Sequence, residues 1–568
     1  MASNKQLREI LDDIAAAPSG PQVAAIFDFD GTLIAGYSAT AFLREQIMSG
    51  GLSPRDFVQQ FEAVRKFATK KVGFSALMNA TANTLRGRAE YWFEEFGEEV
   101  YKKSIAGSIY PEARRIVNAH LDKGHTVAII SSATKYQILP AARDLGIEFL
   151  LCTELEVNVG IFTGNVISPT CFGEGKRMAA EDLAAEEGCK LSESFFYTDS
   201  DDDLPLVEAV GRPRILNPNK SLAKIAKERS WPVYKFTSRG RPGVGTMLRT
   251  GMAYSALPSA LAVSSTMWAA TGRKRDMLNM ATSLWSDYAT AVTGIELNVE
   301  GEEHLWSHRP AVFIFNHQSS VDTLIIPKLL RRDFTGIGKK EIGDFPVIGQ
   351  LFKFADVILI DRSDAKKAIE AMKPVVETIQ KDKLSVALSP EGTRSVSTRL
   401  GPFKKGAFHI AMQAGVPIVP IVIHNAVDAL PRGQNFARAA DIKVTVLEPI
   451  DTSDWEREYL DDYIEQIRDL FLEALGQLEE HEDDISLDHW DEPLAPHAED
   501  AIVADAEEPD APELDLEVEP APKAAPAPKK TRKRAATKKT AAKKTTRKKA
   551  TAKSTAKSRS KANGRATQ

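Results

Sequence analysis

Short apolar runs recur in two separate stretches of this chain, each run ending at a cluster of polar residues, with helical patterns between them. Val23-Ala24-Ala25-Ile26-Phe27, Thr126-Val127-Ala128-Ile129-Ile130 and Ser194-Phe195-Phe196-Tyr197 make up the first set. Ala311-Val312-Phe313-Ile314-Phe315, Leu384-Ser385-Val386-Ala387-Leu388 and Pro417-Ile418-Val419-Pro420-Ile421-Val422-Ile423 belong to the second. Such runs read as buried strands, and their alternation with helices is the signature of an α/β unit with a parallel sheet. A chain of 568 residues is too long for one core, so two such units are expected. In open α/β sheets the ligand lies beyond the carboxyl ends of the strands, so the polar clusters should converge.

The predicted organisation is an α/β domain over residues 20–235, a linker and membrane-associated helix over 236–275, a second α/β domain over 276–480, and a disordered tail over 481–568. A long, mostly helical insertion at about 37–105 separates the first two strands and is expected to cap the first site. Net charge is only -5, but this hides an asymmetry: Glu479 to Glu519 holds 18 acids and no Lys or Arg, and Lys523 to Arg565 holds 18 basic residues and no acid. Such a tail cannot bury enough apolar surface to offset its ordering entropy. Its basic block would attract anionic lipid, nucleic acid or the acidic block beside it, or serve only to solubilise. No aromatic residue follows Trp490, which removes base stacking.

Three cysteines, Cys152, Cys171 and Cys189, form no metal-site spacing and point to a reducing compartment. The N-terminus places Arg8, Glu9, Asp12 and Asp13 where a signal peptide needs an apolar run, so the cytoplasmic side is expected. Thr250 to Gly272 carries no charge and is followed by Arg273-Lys274-Arg275. Its length suits a bilayer span, while its Ser and Thr residues suit an interfacial helix or a buried one. With the apolar face Met277/Leu278/Met280/Leu284/Trp285 and the three basic residues, it is a candidate docking surface for a membrane.

Asp28-Phe29-Asp30-Gly31-Thr32-Leu33 sets two carboxylates two apart directly after a buried strand. Acids that close can hold a divalent cation, and one can attack phosphorus while the other handles the proton. Ser131 ends the second strand, Lys176 opens a helix after a Gly-rich turn, and Thr198-Asp199-Ser200-Asp201-Asp202-Asp203 ends the third. These four motifs, in this order, resemble the haloacid dehalogenase-like phosphatases, in the helical-cap subgroup to which phosphoserine phosphatases belong. The resemblance implies a Rossmann-like domain that uses Mg2+, with Asp28 as nucleophile and Asp30 as general acid/base. It further implies Ser131 and Lys176 as phosphate holders, and Asp199 and Asp203 beside Asp28 and Asp30 on the magnesium. Asp201 and Asp202 read instead as capping or surface acids. Ser200 stands where phosphoserine phosphatases have Gly, which leaves the substrate open.

Asn316-His317-Gln318-Ser319-Ser320-Val321-Asp322 begins where a strand of the second set ends. On a helix His317 and Asp322 would lie about one and a half turns apart, near enough for the carboxylate to orient the imidazole. A histidine so held can take the proton of a hydroxyl attacking a thioester, with no enzyme nucleophile. Gly338-Lys339-Lys340-Glu341 with Pro346 and Gly349 follows; then Ser389-Pro390-Glu391-Gly392-Thr393-Arg394 with Phe403-Lys404-Lys405-Gly406; then Val416-Pro417-Ile418-Val419-Pro420. The four blocks resemble the glycerolipid acyltransferases, in the 1-acylglycerol-3-phosphate branch. The resemblance implies His317 as general base, Asp322 as its partner, and Glu391, Gly392, Thr393 and Arg394 at the acceptor's phosphate, with Lys339 and Lys340 as further candidates. Arg394 has the strongest chemical case, since a guanidinium grips phosphate with two bonds, whereas Glu391 repels phosphate and is expected to position the loop.

Together these resemblances imply a bifunctional fusion: a phosphatase, and an acyltransferase joining a lysophospholipid to the acyl group of acyl-CoA or acyl-carrier protein at the cytoplasmic membrane face. Two alternatives remain: a different acceptor, such as glycerol 3-phosphate, or an inactive first domain with the tail as a nucleic-acid or lipid tether. Nothing in the sequence fixes the oligomeric state.

Overall fold

In the computed structural model, residues 2–478 are described, except 52–53, 70, 341–342, 344–347 and 361–364. The tail expected over 481–568, Glu341 and Pro346 lie outside the described residues, as does the side chain of Lys339. Fifteen strands are described. They are β1 (Ala24–Phe27), β2 (Thr126–Ser131), β3 (Phe149–Cys152), β4 (Leu155–Asn158), β5 (Ile161–Val166), β6 (Phe195–Thr198), β7 (Arg212–Leu216) and β8 (Val233–Tyr234) in the first half. The second half holds β9 (Ile295–Glu300), β10 (Val312–Phe315), β11 (Phe334–Lys339), β12 (Ile358–Ile360), β13 (Ser385–Leu388), β14 (Ile418–Ile423) and β15 (Ala440–Val446).

The first sheet has the order β3-β2-β1-β6-β7-β8 and is parallel throughout. The second has the order β12-β11-β13-β10-β14-β15-β9, with an antiparallel step only between β14 and β15. Both sheets are covered on both faces, which is why their central strands are continuously apolar. Ala25 and Phe27 pack into the core on one side of the first sheet, and Ala24 and Ile26 into the core on the other. Val312 and Ile314 face one core of the second sheet, and Phe313 the opposite one. In each sheet the central strand, β1 or β10, therefore delivers its carboxyl end between two parallel neighbours.

Four helices, Ser38–Met48, Pro54–Ala68, Phe74–Asn83 and Glu90–Val100, occupy the insertion between β1 and β2. The sequence reading omitted the hairpin β4–β5, which joins this insertion through bonds from Gly87 N–H to Phe162 O and from Glu90 N–H to Gly160 O, at 2.9 and 2.8 Å. Its turn is hard to see in sequence because Val159, at φ 50°, sits beside Gly160 in a conformation a β-branched residue seldom adopts.

The uncharged stretch forms part of one helix, Val244–Thr271, paired with a second, Lys274–Thr293. Among the described residues no helix is long and apolar enough to cross a membrane. Its Ser, Thr and Gly residues dilute the hydropathy that a span requires. The expected docking face is revised. Met277 and Leu278 are buried, and the Trp285 indole donates to Ala253 O at 2.9 Å, so this face largely packs against the first helix. Leu284 of that face stays exposed, and Leu248, Met252, Val263 and Trp268 of the first helix add further exposed apolar surface. Of the basic triplet, Arg275 turns inward to Phe334 O at 3.1 Å, and Lys274 pairs with Asp356 at 2.7 Å.

The segment read as a linker is largely exposed but anchored at Arg239. Arg239 is buried and donates to Val427 O and Asp428 O of the second half at 3.0 and 3.1 Å. Burial lowers its pKa to about 10 despite the Asp428 charge. Arg438 reaches back to Thr237 O at 3.1 Å, and also donates to Gly240 O.

Candidate active sites

At the edge of the first sheet, β1 ends just before Asp28, β2 at Ser131 and β6 just before Asp199, so three expected site residues meet. Lys176, near the start of the helix Glu174–Glu186, lies 2.9 Å from both Asp28 Oδ1 and Asp203 Oδ1. The Thr198 hydroxyl donates to Asp203 Oδ2 at 2.6 Å. Asp30 accepts from the Ser38 N–H at 2.7 Å and from the Ser38 hydroxyl at 3.1 Å. A β-carbon at Gly31, where φ is 79°, would collide with the Asp199 carboxylate, so this position requires glycine for space as well as for conformation.

Asp28 and Asp203 are buried, and Asp30 and Asp199 half-buried, around one ammonium. Burial pushes Asp28 up to about 8, with Asp203 and Asp199 adding to the rise and Lys176 opposing it. Burial and the Asp203 charge take Asp199 to about 7, and burial takes Asp30 to about 6 against the bonds from Ser38. Burial works against the Lys176 ammonium, yet Asp203 and Asp28 raise its pKa above the usual lysine value. Ser131 is buried at the end of β2, where its hydroxyl accepts from Ala133 N–H at 3.2 Å.

Among the described residues no three His, Cys, Asp or Glu side chains are arranged as a metal site. The four expected ligands are not equivalent: Asp30 spends both oxygens on Ser38, and Asp203 spends both on Lys176 and Thr198. Asp28 and Asp199 are the better placed to donate to a cation. Two carboxylates plus substrate phosphate are the donor set Mg2+ commonly uses, so the residues present fit that ion.

At the second sheet the parallel strands β10, β11, β13 and β14 point the same way, so the segments after them share one edge. His317 follows β10, Lys339 ends β11 with exposed Lys340 next, and Pro390 to Arg394 follow β13. His317 and Asp322 do not share a helix. The helix starts at Asp322, and residues 316–321 form a loop that wraps its carboxylate. Asp322 Oδ2 lies 2.7 Å from His317 Nδ1 and accepts from the N–H groups of Gln318 and Ser319 at 3.1 and 3.0 Å. A carboxylate facing Nδ1 assigns the proton to that nitrogen and leaves Nε2 as the basic one.

The loop after β13 holds His317 on both sides. Glu391 Oε1 accepts from the His317 N–H at 2.7 Å, and the Ser395 N–H donates to His317 O at 2.8 Å. Glu391 Oε2 accepts from Gly401 N–H at 3.1 Å. Glu391 is therefore a positioning residue, and its burial pushes its carboxyl up to about 7 against those two bonds. Arg394 donates to the Ser320 hydroxyl, Thr393 is exposed, and Gly392, at φ 73°, carries the Lys404 stem close above it.

Ser38, which holds Asp30, escaped the sequence reading, and Thr198, which holds Asp203, and Ser320 beside Arg394 were read within motifs but given no role. Asn316 pairs through its amide with the backbone of Ile423 at the end of β14, at 2.8 and 2.7 Å, and so fixes the loop to the sheet. Its place immediately before His317 was the available signal. Lys404, read only as part of a motif, adds a cation beside Gly392.

The model of the haloacid dehalogenase-like hydrolase family matches residues 25–208, and that of the acyltransferase family matches residues 296–424. A 1-acyl-sn-glycerol-3-phosphate acyltransferase of Limnanthes alba is 39% identical over 182 residues, 32% of this chain and 64% of its own length. A Schizosaccharomyces pombe protein described as an uncharacterized acyltransferase is 32% identical over 195 residues, 34% of this chain and 70% of its own. A phosphoserine phosphatase of Mycobacterium tuberculosis is 34% identical over 265 residues, 43% of this chain and 83% of its own. The chain spans 60 to 65% of the length of the curated plant acyltransferases it matches. By these matches the chain belongs to the haloacid dehalogenase-like hydrolases through its first half and to the acyltransferases through its second.

Proposed function

We propose that the second half, residues 276–480, transfers an acyl group from acyl-CoA or acyl-carrier protein to the sn-2 hydroxyl of 1-acylglycerol 3-phosphate, making phosphatidic acid. The observation that carries this reading is the pair His317–Asp322, 2.7 Å apart, with a side chain of His317 that is still 26% exposed. Asp322 holds the proton on Nδ1, so Nε2 takes the proton of the acceptor hydroxyl as its oxygen attacks the thioester carbonyl carbon and the thiolate leaves. Arg394, Lys340 and Lys404 supply positive charge for the acceptor's phosphate, with Lys339 a further candidate and Gly392 allowing close backbone approach. Thr393 is assigned to the same phosphate through its exposed hydroxyl. Because acceptor and product both partition into bilayer, the exposed apolar side of Val244–Thr271 is assigned to the cytoplasmic membrane surface. Replacing His317 by Ala should cut acyl transfer to lysophosphatidate by ~1,000-fold or more, since the general base is lost. Transfer at an undiminished rate would reject His317 as the base.

The first half, residues 20–235, is assigned as a phosphatase that works through an aspartyl-phosphate on Asp28. Lys176 neutralises charge as Asp28 approaches phosphorus, Ser131 holds a phosphoryl oxygen, and Asp30, held up to about 6, hands a proton to the departing alcohol. Mg2+ held by Asp28 and Asp199 would supply further positive charge at the phosphoryl group. The Asp28–Lys176–Asp203 assembly favours this over an inactive scaffold, because so many buried acids are costly to keep without a use.

A further inference from the structure

A cavity of about 400 Å³ lies where the two halves of the chain meet. One side is formed by Tyr37 and Ser38, which follow the first motif, and by Arg44 and Lys103 of the cap; Arg432 and Gln434 of the acyltransferase half form the other. Ser38 is also the residue that binds both oxygens of Asp30, so the cavity wall is one side chain away from the proposed acid. The two halves are packed closely at this point. A β-carbon on Gly107 would stand 3.1 Å from Arg432 O and 3.4 Å from Pro431, which only a residue without a side chain tolerates easily. Arg432 is held from its own side as well, since its guanidinium donates to Arg394 O at 3.2 Å.

Three cations line this space. Lys103 is paired with Glu99 at 2.6 Å, which leaves Arg44 and Arg432 to set the sign of the cavity. Its polar, basic lining and its volume suit a small anionic molecule and exclude an acyl chain. Resting on the phosphatase reading above, we propose that the acyltransferase half completes the phosphatase's substrate pocket. Arg432, with Arg44, binds a second anionic group on the alcohol portion of a small phosphomonoester. The preferred substrates are then phosphomonoesters whose leaving group carries a carboxylate or another phosphate, and the selectivity of the first half depends on a residue of the second.

The test uses the full chain with Mg2+ and two esters that differ in one group, 3-phosphoglycerate with its carboxylate and glycerol 3-phosphate with a hydroxymethyl in its place. The wild type should favour 3-phosphoglycerate in kcat/KM. Arg432→Ala should raise KM for 3-phosphoglycerate by about 10-fold or more with kcat little changed, should affect glycerol 3-phosphate much less, and should be partly rescued by Arg432→Lys. Equal losses on both esters would show a merely structural role and overturn the inference, as would an indifferent variant on an active phosphatase. If the wild type hydrolyses no phosphomonoester at all, the phosphatase reading falls and takes this inference with it.

Discussion

Asp28 and His317 occupy comparable places, each just after the central strand of a parallel sheet, yet their side chains are 9% and 26% exposed. The difference comes from what lies over the sheet edge. The helical insertion presses Ser38 onto Asp30 at the first site, whereas the second is framed by the loops after β10 and β13. The deeper setting has an electrostatic consequence: the first site gathers four acids near one lysine, and burial lifts the pKa values of Asp28, Asp30 and Asp199, because charges lose hydration there. The second site leaves its base half-exposed and buries Asp322 and Glu391, which orient it. A water-borne phosphomonoester can be enclosed, but an acceptor anchored in a bilayer must be met at an open edge.

The largest expected effect separates the two sites outright. Asp28→Asn should lower phosphatase turnover by ~10,000-fold or more, as loss of a nucleophile does, while acyl transfer measured on the same sample stays within about twofold. A matching fall in both activities would mean that the sites work as one.

Glu391 sharpens the comparison, since burial raises its carboxyl strongly at the second site. The folded state holds it near 7, above its ordinary value of 4.5, so folding takes up a proton there between those pH values. That contribution to stability is complete below about 4.5 and is lost as pH rises through 7. Glu391→Gln lacks the titration, so the stability of wild type relative to this variant should shrink between pH 5 and pH 8 by on the order of 1–3 kcal/mol. Thermal unfolding of both proteins at the two pH values measures it, and a constant difference would place Glu391 in a more solvated setting than its burial suggests.

The smallest effect concerns the anion grip. Arg394→Lys keeps the charge but loses the planar fork, and should raise KM for lysophosphatidate about 3- to 10-fold with little change in kcat. Steady-state kinetics on mixed micelles would show it, and an unchanged KM would shift the phosphate toward Lys340 and Lys404.

Residues at strand ends were the most legible in sequence. Asp28, Ser131, Asp199, His317 and Glu391 each follow or close an apolar run, and the parallel topology then brings them together. Groups whose meaning depends on distant partners were not legible: Ser38 acts through Asp30, Lys404 over Gly392, and Arg432 across the join between halves. The helix expected to carry His317 and Asp322 failed for a local reason. Asp322 sits at the helix start, where its carboxylate collects free N–H groups from the preceding loop, and this brings the histidine to it. Leu278 and Trp285 read as a surface face because amphipathic spacing does not say whether a neighbouring helix covers it.

The clasp of residues 391–395 on both backbone groups of His317 constrains how such a domain can diversify. Its proton acceptor and its guanidinium ride on one tied segment, so a change that re-aims Arg394 toward a different headgroup also disturbs the base. Descendants that adopt new acceptors are therefore expected to vary at Lys340 or Lys404, on neighbouring segments, while the clasp is inherited intact.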